Sequence, residues 1–421
     1  MSKVYEPRDY APFVSDHIAR NRRCAVWAPP GFGKTVMTLS VLDALDSIED
    51  VWPALVIAPL RVARDVWPEE PLKWNHLQHI GVSPLIGLEG DRRRGLDVPA
   101  HVYTINPENI PWLVKIHRHA WPYRTVVVDE ATKLKSLRVS FQKHPKSGKE
   151  YLTGQGGVRA KALAQVAREF KRVIELTGTP SPNGLQDLWG QLWFLDAGRR
   201  LGRTYTAFRK RFFQTDQYSG EVTPLPFARE QIEGLVKDIC LSLQVADWFD
   251  VEEPYVNNVY VKLPASARSV YRELEKEMFV QLAEGEVEAV NAAALTQKCL
   301  QLANGAAYLG EPGPGERKWA TVHDEKLDAL ESLVEEAGGA PQLVMYEFKS
   351  DAARIKQRFG KHVADLGTAA GLAQFKKGRT AIGLGHPKSV GHGIDGLQYV
   401  CNIVDTMAHA VRVPEADGRA P

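Results

Sequence analysis

The stretch Ala28-Pro29-Pro30-Gly31-Phe32-Gly33-Lys34-Thr35 constrains this chain more than any other. An apolar run, Cys24-Ala25-Val26-Trp27, precedes it and reads as a buried strand. A helical pattern follows from Val36 to Leu45, with Leu39, Leu42 and Leu45 along one side. Strand, glycine turn, Lys-Thr and helix together make a cradle for phosphate. Gly31 and Gly33 let the backbone curl so that its N–H groups point inward at anionic oxygens. The helix start adds the positive end of its dipole. Pro30, Gly31, Phe32, Gly33, Lys34 and Thr35 are the expected nucleotide contacts. Lys34 would reach the β and γ phosphates, and the Thr35 hydroxyl would hold Mg²⁺. The bland alternative is a chance Gly-Lys-Thr turn, which would not require these flanking elements.

At 421 residues the chain is long enough for two or three domains. Its 44% apolar and 25% charged residues are those of an ordinary globular protein. No apolar run is long enough to cross a bilayer, and the N-terminus lacks signal-peptide character. The four cysteines, Cys24, Cys240, Cys299 and Cys401, lie far apart, so a cytoplasmic setting without a zinc site is expected. A formal net charge of +2 gives no global argument for nucleic acid; any such argument must be local.

Further apolar runs recur at Leu55–Ala58, His101–Thr104, Thr125–Val128 and Val173–Leu176. Continuous runs of this kind mark parallel strands covered on both faces. They predict an α/β fold with a parallel sheet. From Leu185 to about Glu253 helical patterns carry Trp189, Trp193, Phe208, Phe212 and Phe213, and strand signals fade. This stretch reads as a helical insertion or extension over 185–255. Val259–Leu263 then reads as a strand and Pro264 as the start of a helix. After the loop at Gly310–Gly315, strand and helix alternate again. Asp324 is placed to cap a helix ending at Gly338, and Ser350 to cap one running to Phe359. Leu343–Tyr346, Ala381–Leu384 and Val400–Val404 are the expected strands. The organisation predicted is a first α/β lobe over 1–184, the insertion, and a second lobe over 256–421.

Two further segments point at the cradle. Val126-Val127-Val128-Asp129-Glu130 places two carboxylates at the carboxyl end of a buried strand, the edge where open parallel sheets bind ligands. Asp129 is placed to anchor Mg²⁺ opposite Thr35, and Glu130 to orient and deprotonate an attacking water. Taken alone, a strand ending in a solvated acidic turn would be equally acceptable. Leu176-Thr177-Gly178-Thr179-Pro180 also ends a strand, and the Thr177 and Thr179 hydroxyls can bond the Asp-Glu pair and sense the γ-phosphate. The same residues are also good ordinary turn chemistry.

In this order these segments resemble motifs I, II and III of superfamily-two helicases, with Ala28 where the general cradle pattern has glycine. The closest resemblance is to the Swi/Snf-like branch and its compact phage-type DNA helicases. Thr177 to Gly184 followed by Asp187-Leu188-Trp189 is especially similar to that branch. Pro59-Leu60-Arg61 resembles motif Ia. Asp324-Glu325-Lys326-Leu327 and Tyr346-Glu347-Phe348-Lys349 resemble the start of the second lobe and motif IV. Ser389 to Gln398 resembles motif V and adds Gly391, Gly393 and Asp395 as coupling residues. The resemblance implies two RecA-like lobes that close on ATP and Mg²⁺ and move along DNA or RNA, acting as a monomer in the cytoplasm, the host's if phage-encoded.

Two departures from the family pattern follow. Ala11 stands where an adenine-reading glutamine would follow Tyr10, which leaves Tyr10 to pack near the base. No pair of arginines three apart follows motif V, only Arg412 and Arg419. The second lobe is thus expected to lack motif VI. Such an arginine finger is worth roughly 10³–10⁵ in turnover in related phosphate chemistry. The alternative function is therefore a nucleotide- and DNA-binding protein with impaired hydrolysis. A P-loop phosphotransferase acting on a small molecule is a third reading, disfavoured by the Asp-Glu and Thr-Gly-Thr-Pro segments.

For nucleic acid, Arg61 is the contact implied by motif Ia. Lys133 and Lys135, just after the Asp-Glu pair, are placed to touch a backbone phosphate. Arg199 to Phe213 holds six basic residues interleaved with aromatics and no acids, including Arg203 and Arg209. That segment could equally be a solvated helix face with its aromatics packed inward. Arg92-Arg93-Arg94 reads as a solvated loop, and His392 as a turn or ligand-facing residue.

Overall fold

A computed structural model describes residues 2–117, 120–143, 150–218, 220–249, 255–282, 285–289, 291–310, 317–390, 394 and 396–407. The chain divides into two compact units, Met1–Glu253 and Pro254–Pro421.

The first unit runs α1 (Ala11–Arg20), β1 (Arg23–Trp27), α2 (Lys34–Asp46), β2 (Ala54–Ile57), α3 (Trp67–Lys73), β3 (Val82–Pro84), α4 (Glu89–Asp97), β4 (Val102–Ile105), α5 (Ile110–Ile116) and β5 (Thr125–Asp129). It continues with the hairpin β6 (Leu137–Lys143) and β7 (Glu150–Gly156), then α6 (Val158–Val166), β8 (Arg172–Thr177), α7 (Asp187–Asp196), α8 (Tyr205–Phe212), β9 (Phe213–Thr215), β10 (Val222–Pro224), α9 (Ala228–Val236), β11 (Cys240–Ser242) and α10 (Val245–Trp248). Seven strands form one sheet in the order β11-β1-β8-β5-β2-β4-β3. Every neighbouring pair in it is parallel.

Alternate residues of each strand enter opposite cores, which is why these strands read as unbroken apolar runs. Leu55, Val126, Val128 and Val173 lie in the core that holds α7 and α8. Val56, Val127, Ile174 and Leu176 lie in the one that holds α1 and α2. Residues 185–253 belong to this unit. Trp189, Trp193, Phe208 and Phe212 pack on the sheet, and β11 pairs with β1, Ala25 opposite Cys240. The segment read as a helical insertion therefore completes the first sheet and carries two short hairpin strands besides. Burial of Phe208 and Phe212, both 0% exposed, contributes about 1.5–3 kcal/mol each. The arginine triplet at 92–94 lies in α4 rather than in a loop. Arg93 pairs with Glu89 and Arg94 with Asp91, both one helical turn away.

The second unit begins with residues 255–263 in no strand; Val259–Leu263 alternates as a strand should, but Val259 and Tyr260 are exposed and no neighbouring strand bonds them among the described residues. It continues α11 (Ala265–Glu277), β12 (Phe279–Leu282), β13 (Gly285–Glu288), α12 (Ala292–Asn304), β14 (Ala306–Tyr308), β15 (Trp319–Thr321), α13 (Glu325–Glu336), β16 (Gln342–Met345), α14 (Lys349–Phe359), β17 (Val363–Asp365), α15 (Ala369–Lys376), β18 (Ile382–Gly385), α16 (Pro387–Val390) and β19 (Ile403–Thr406). A four-stranded parallel sheet has the order β17-β18-β16-β19. Asp324 precedes α13 as expected, but its carboxylate accepts from Arg354 Nη2 at 2.7 Å rather than capping the helix. Asp351, not Ser350, closes the start of α14, accepting from the Phe348 N–H at 3.0 Å. Asp324 is drawn off the helix start by the buried Arg354, and at α14 the third helical residue reaches back to the start in place of Ser350.

Candidate nucleotide site

The cradle forms where the sequence places it. Gly31 and Gly33 have φ of 84° and 68°, the left-handed region that glycine enters without strain. The turn between β1 and α2 needs both. The Lys34 ammonium is half-buried and donates to the carbonyls of Ala28 at 2.7 Å and Pro29 at 3.0 Å. Two of its three N–H donors are thus held inside the cradle. Burial lowers the Lys34 pKa, while the nearby charges of Asp129 and Glu130 oppose that shift. Thr35 is half-buried on the first turn of α2.

β1 and β5 flank β8 in the sheet, so motifs on three adjacent strands meet at one carboxyl edge. The Thr177 carbonyl accepts from the Ala28 N–H at 3.0 Å, which ties the third segment to the first. A Cβ on Gly178 would stand 3.2 Å from Pro30 Cδ, so the two loops are in close contact. The Thr177 hydroxyl donates to Glu130 Oε2 at 3.4 Å and accepts from the Thr179 N–H at 3.2 Å. Asp129 is 9% exposed, and its Oδ2 accepts from the Trp67 indole at 3.0 Å. Burial raises the Asp129 pKa, opposed by the Trp67 hydrogen bond and the Lys34 charge. Glu130 has φ of 64°, unusual for a residue with a side chain. That conformation costs roughly 1–2 kcal/mol and is the kind of strain that concentrates at functional sites.

These residues suit a magnesium-bound nucleotide. The donor set is hard oxygen, from Thr35 and the buried Asp129, which matches Mg²⁺. The open backbone at Gly31, where an added Cβ would meet nothing within 4 Å, leaves room for phosphate.

The other expected residues divide. Tyr10 is 3% exposed, with its ring 4.9 Å from Phe32, 5.7 Å from Trp248 and 6.1 Å from Phe249. It offers a base almost no surface and instead props the cradle from behind. Lys135 is bound within its own lobe, donating to Asp187 Oδ2 at 3.0 Å, so its charge is neutralised there. Arg61 precedes a single π-helical turn, Val62–Val66, of a kind frequent at functional sites. Arg203 is exposed, and Arg209 donates to the Thr215 hydroxyl at 3.1 Å. Phe208, Phe212 and Phe213 are buried and face the core, so they cannot stack on bases, while Tyr205 is half-buried. Arg200 pairs with Asp196 and Asp238. Gly391, Gly393 and Asp395, and His392 between them, lie outside the described residues.

No spacing signal in the sequence marks Trp67 or Gly190, whose partners are distant along the chain, and Asp187 enters there only as part of the family resemblance, without a partner.

The chain is similar to several known proteins. Residues 19–149 match the SNF2-related domain. Protein p41 of Acyrthosiphon pisum secondary endosymbiont phage 1 is 44% identical over 414 residues, covering 97% of this chain and 86% of its own. The ISWI chromatin-remodelling complex ATPase ISW2 of Saccharomyces cerevisiae is 28% identical over 177 residues, which are 39% of this chain and 13% of that protein. The SWI2/SNF2 ATPase core of Sulfolobus solfataricus, solved with dsDNA, is 19% identical at a TM-score of 0.45, covering 96% of this chain and 84% of that one. With a parallel sheet in each unit, its matched domain and its phage relative, the chain belongs to the SNF2-related, Swi/Snf-like family in its phage-type form.

Proposed function

We propose that this protein is a nucleic-acid-stimulated ATPase that translocates on DNA. The observation that carries the reading is the convergence of Lys34, Asp129, Glu130 and Thr177 at one edge of three adjacent strands. The N–H groups of the Gly31–Thr35 turn and the Lys34 ammonium bind the β and γ phosphates of ATP. Thr35 and Asp129 would hold Mg²⁺, which would supply charge neutralisation to the phosphate chemistry. Trp67 fixes one Asp129 oxygen and so aims the other. Glu130 accepts a proton from the attacking water, and the Thr177 hydroxyl keeps its carboxylate turned toward that water. Arg61, Arg203 and Arg209 neutralise backbone phosphates.

The name of the yeast relative, a chromatin-remodelling ATPase, supports DNA over RNA. The phage origin of p41 supports action in a host cytoplasm. Phosphate release measured with single-stranded DNA, duplex DNA and RNA tests the reading. Stimulation by DNA is expected. Binding of ATP and DNA without phosphate under any condition would favour a nucleotide- and DNA-binding protein instead, and transfer to a metabolite without DNA would overturn both.

A further inference from the structure

The segment carrying Glu130 and the segment carrying Thr177 and Thr179 are both tied to helix α7. After Glu130 the chain makes a tight turn, Ala131–Leu134, in which the Lys133 N–H donates to the Glu130 carbonyl at 2.9 Å. Lys135 leaves this turn and donates to Asp187 Oδ2 at 3.0 Å, with side chains 29% and 14% exposed. The same oxygen accepts from the Asn183 N–H at 3.0 Å. One turn further along α7, Gly190 lies on the Glu130 turn so closely that a Cβ would collide with the Lys135 carbonyl oxygen and reach 3.0 Å from that of Leu134. Gln191, 0% exposed, donates to the carbonyl of Pro180, the residue after Thr179. The contacts close a ring: Glu130, its turn, Lys135, Asp187, Gln191, Pro180, Thr179, Thr177 and back to Glu130.

We propose that Lys135 and Asp187 are positioning residues that lock the Glu130 turn to the Thr177–Thr179 loop through α7, so that the Glu130 carboxylate is held in register with the Thr177 hydroxyl. The proposal rests on the ATPase reading. It gives Lys135 a role inside the lobe in place of a nucleic-acid contact. The pair is shielded enough to hold one geometry, unlike a fully exposed ion pair. Gly190 removes the slack that a side chain would introduce between helix and turn. Small misplacements of a catalytic carboxylate are expensive in rate, so the clamp should act on turnover rather than on binding.

Lys135→Met, Asp187→Asn, the double variant and Lys135→Arg separate the possibilities. Each single variant should lose on the order of tenfold in kcat at saturating DNA and ATP. KM for ATP and Kd for DNA should stay within about twofold of wild type, a change too small to signal a lost binding contact. The double variant should be no slower than either single variant, and Lys135→Arg should recover most of the rate. Turnover like wild type, or a loss that disappears at saturating DNA, overturns the proposal. Should wild type itself release no phosphate, the ATPase reading fails, and the clamp is read by amide hydrogen exchange. Lys135→Met should then speed exchange of the Thr179 N–H as well as the Lys133 N–H, at an unchanged Tm. Exchange at Thr179 equal to wild type overturns it.

Discussion

The indole N–H of Trp67 donates to Oδ2 of Asp129 at 3.0 Å, a buried hydrogen bond across 62 residues of sequence. Trp67 is 0% exposed at the start of α3, directly after the turn that begins at Arg61. One oxygen of the proposed metal-holding carboxylate is thereby fixed. Trp67→Phe should raise the Mg²⁺ concentration for half-maximal activity by roughly 10–100-fold, the usual consequence of losing a group that orients a metal ligand. A Mg²⁺ titration of phosphate release checks this; an unchanged midpoint would make Trp67 a packing residue only.

Arg172 should be the costliest single charge to remove from the first unit. Its side chain is 4% exposed, and its guanidinium bonds the carbonyls of Ile18 and Asn21 and the carboxylate of Glu49. It joins β8 to the end of α1. Arg172→Met takes this donor from the Ile18 and Asn21 carbonyls and leaves Glu49 with Arg22 alone, at a cost of roughly 3–5 kcal/mol in denaturant unfolding.

Glu175 makes stability fall as pH rises. It is 1% exposed on β8, and neither carboxylate oxygen has a hydrogen-bond partner among the described residues. Burial, with help from Asp196, holds its pKa well above the ordinary glutamate value. The folded state keeps a proton that the unfolded state gives up. The contribution of this group is therefore fully present below the unfolded-state pKa and is lost progressively up to the folded-state pKa. Glu175→Gln should raise Tm at pH 8 and flatten the fall in Tm above mildly acidic pH. Equal slopes in the two proteins would contradict this.

The proposed phosphate contacts should be separable by salt. Arg61→Ala and Arg203→Ala should each weaken DNA binding about equally across sequences and reduce the slope of log K against log salt by about 1. Lys135→Ala, whose charge is already paired with Asp187, should leave that slope unchanged. Binding measured over a series of salt concentrations distinguishes them.

How far the sequence could be read follows from where each signal resides. The cradle and the Asp129-Glu130 pair are local patterns on doubly covered strands, so Val126, Val127 and Val128 announce both their strand and its burial. β11 is three residues long and joins the sheet only through β1, so it left no periodic trace. Val259–Leu263 carries the opposite lesson: alternation without a neighbour to bond makes no strand. Tyr10 reads from the sequence as packing near the base, but its contacts with Trp248 and Phe249 come from the far end of the unit and turn its ring inward. Lys135 reads from the sequence as a phosphate contact beside an acidic motif because Asp187 lies 52 residues away.

The most direct measurement is single-turnover hydrolysis of bound ATP, with DNA present, by wild type and Glu130→Gln. Glu130→Gln should bind Mg²⁺-ATP and DNA as wild type does and hydrolyse roughly 10²–10⁴-fold more slowly, the range for loss of a general base. Hydrolysis at the wild-type rate by Glu130→Gln would contradict the account.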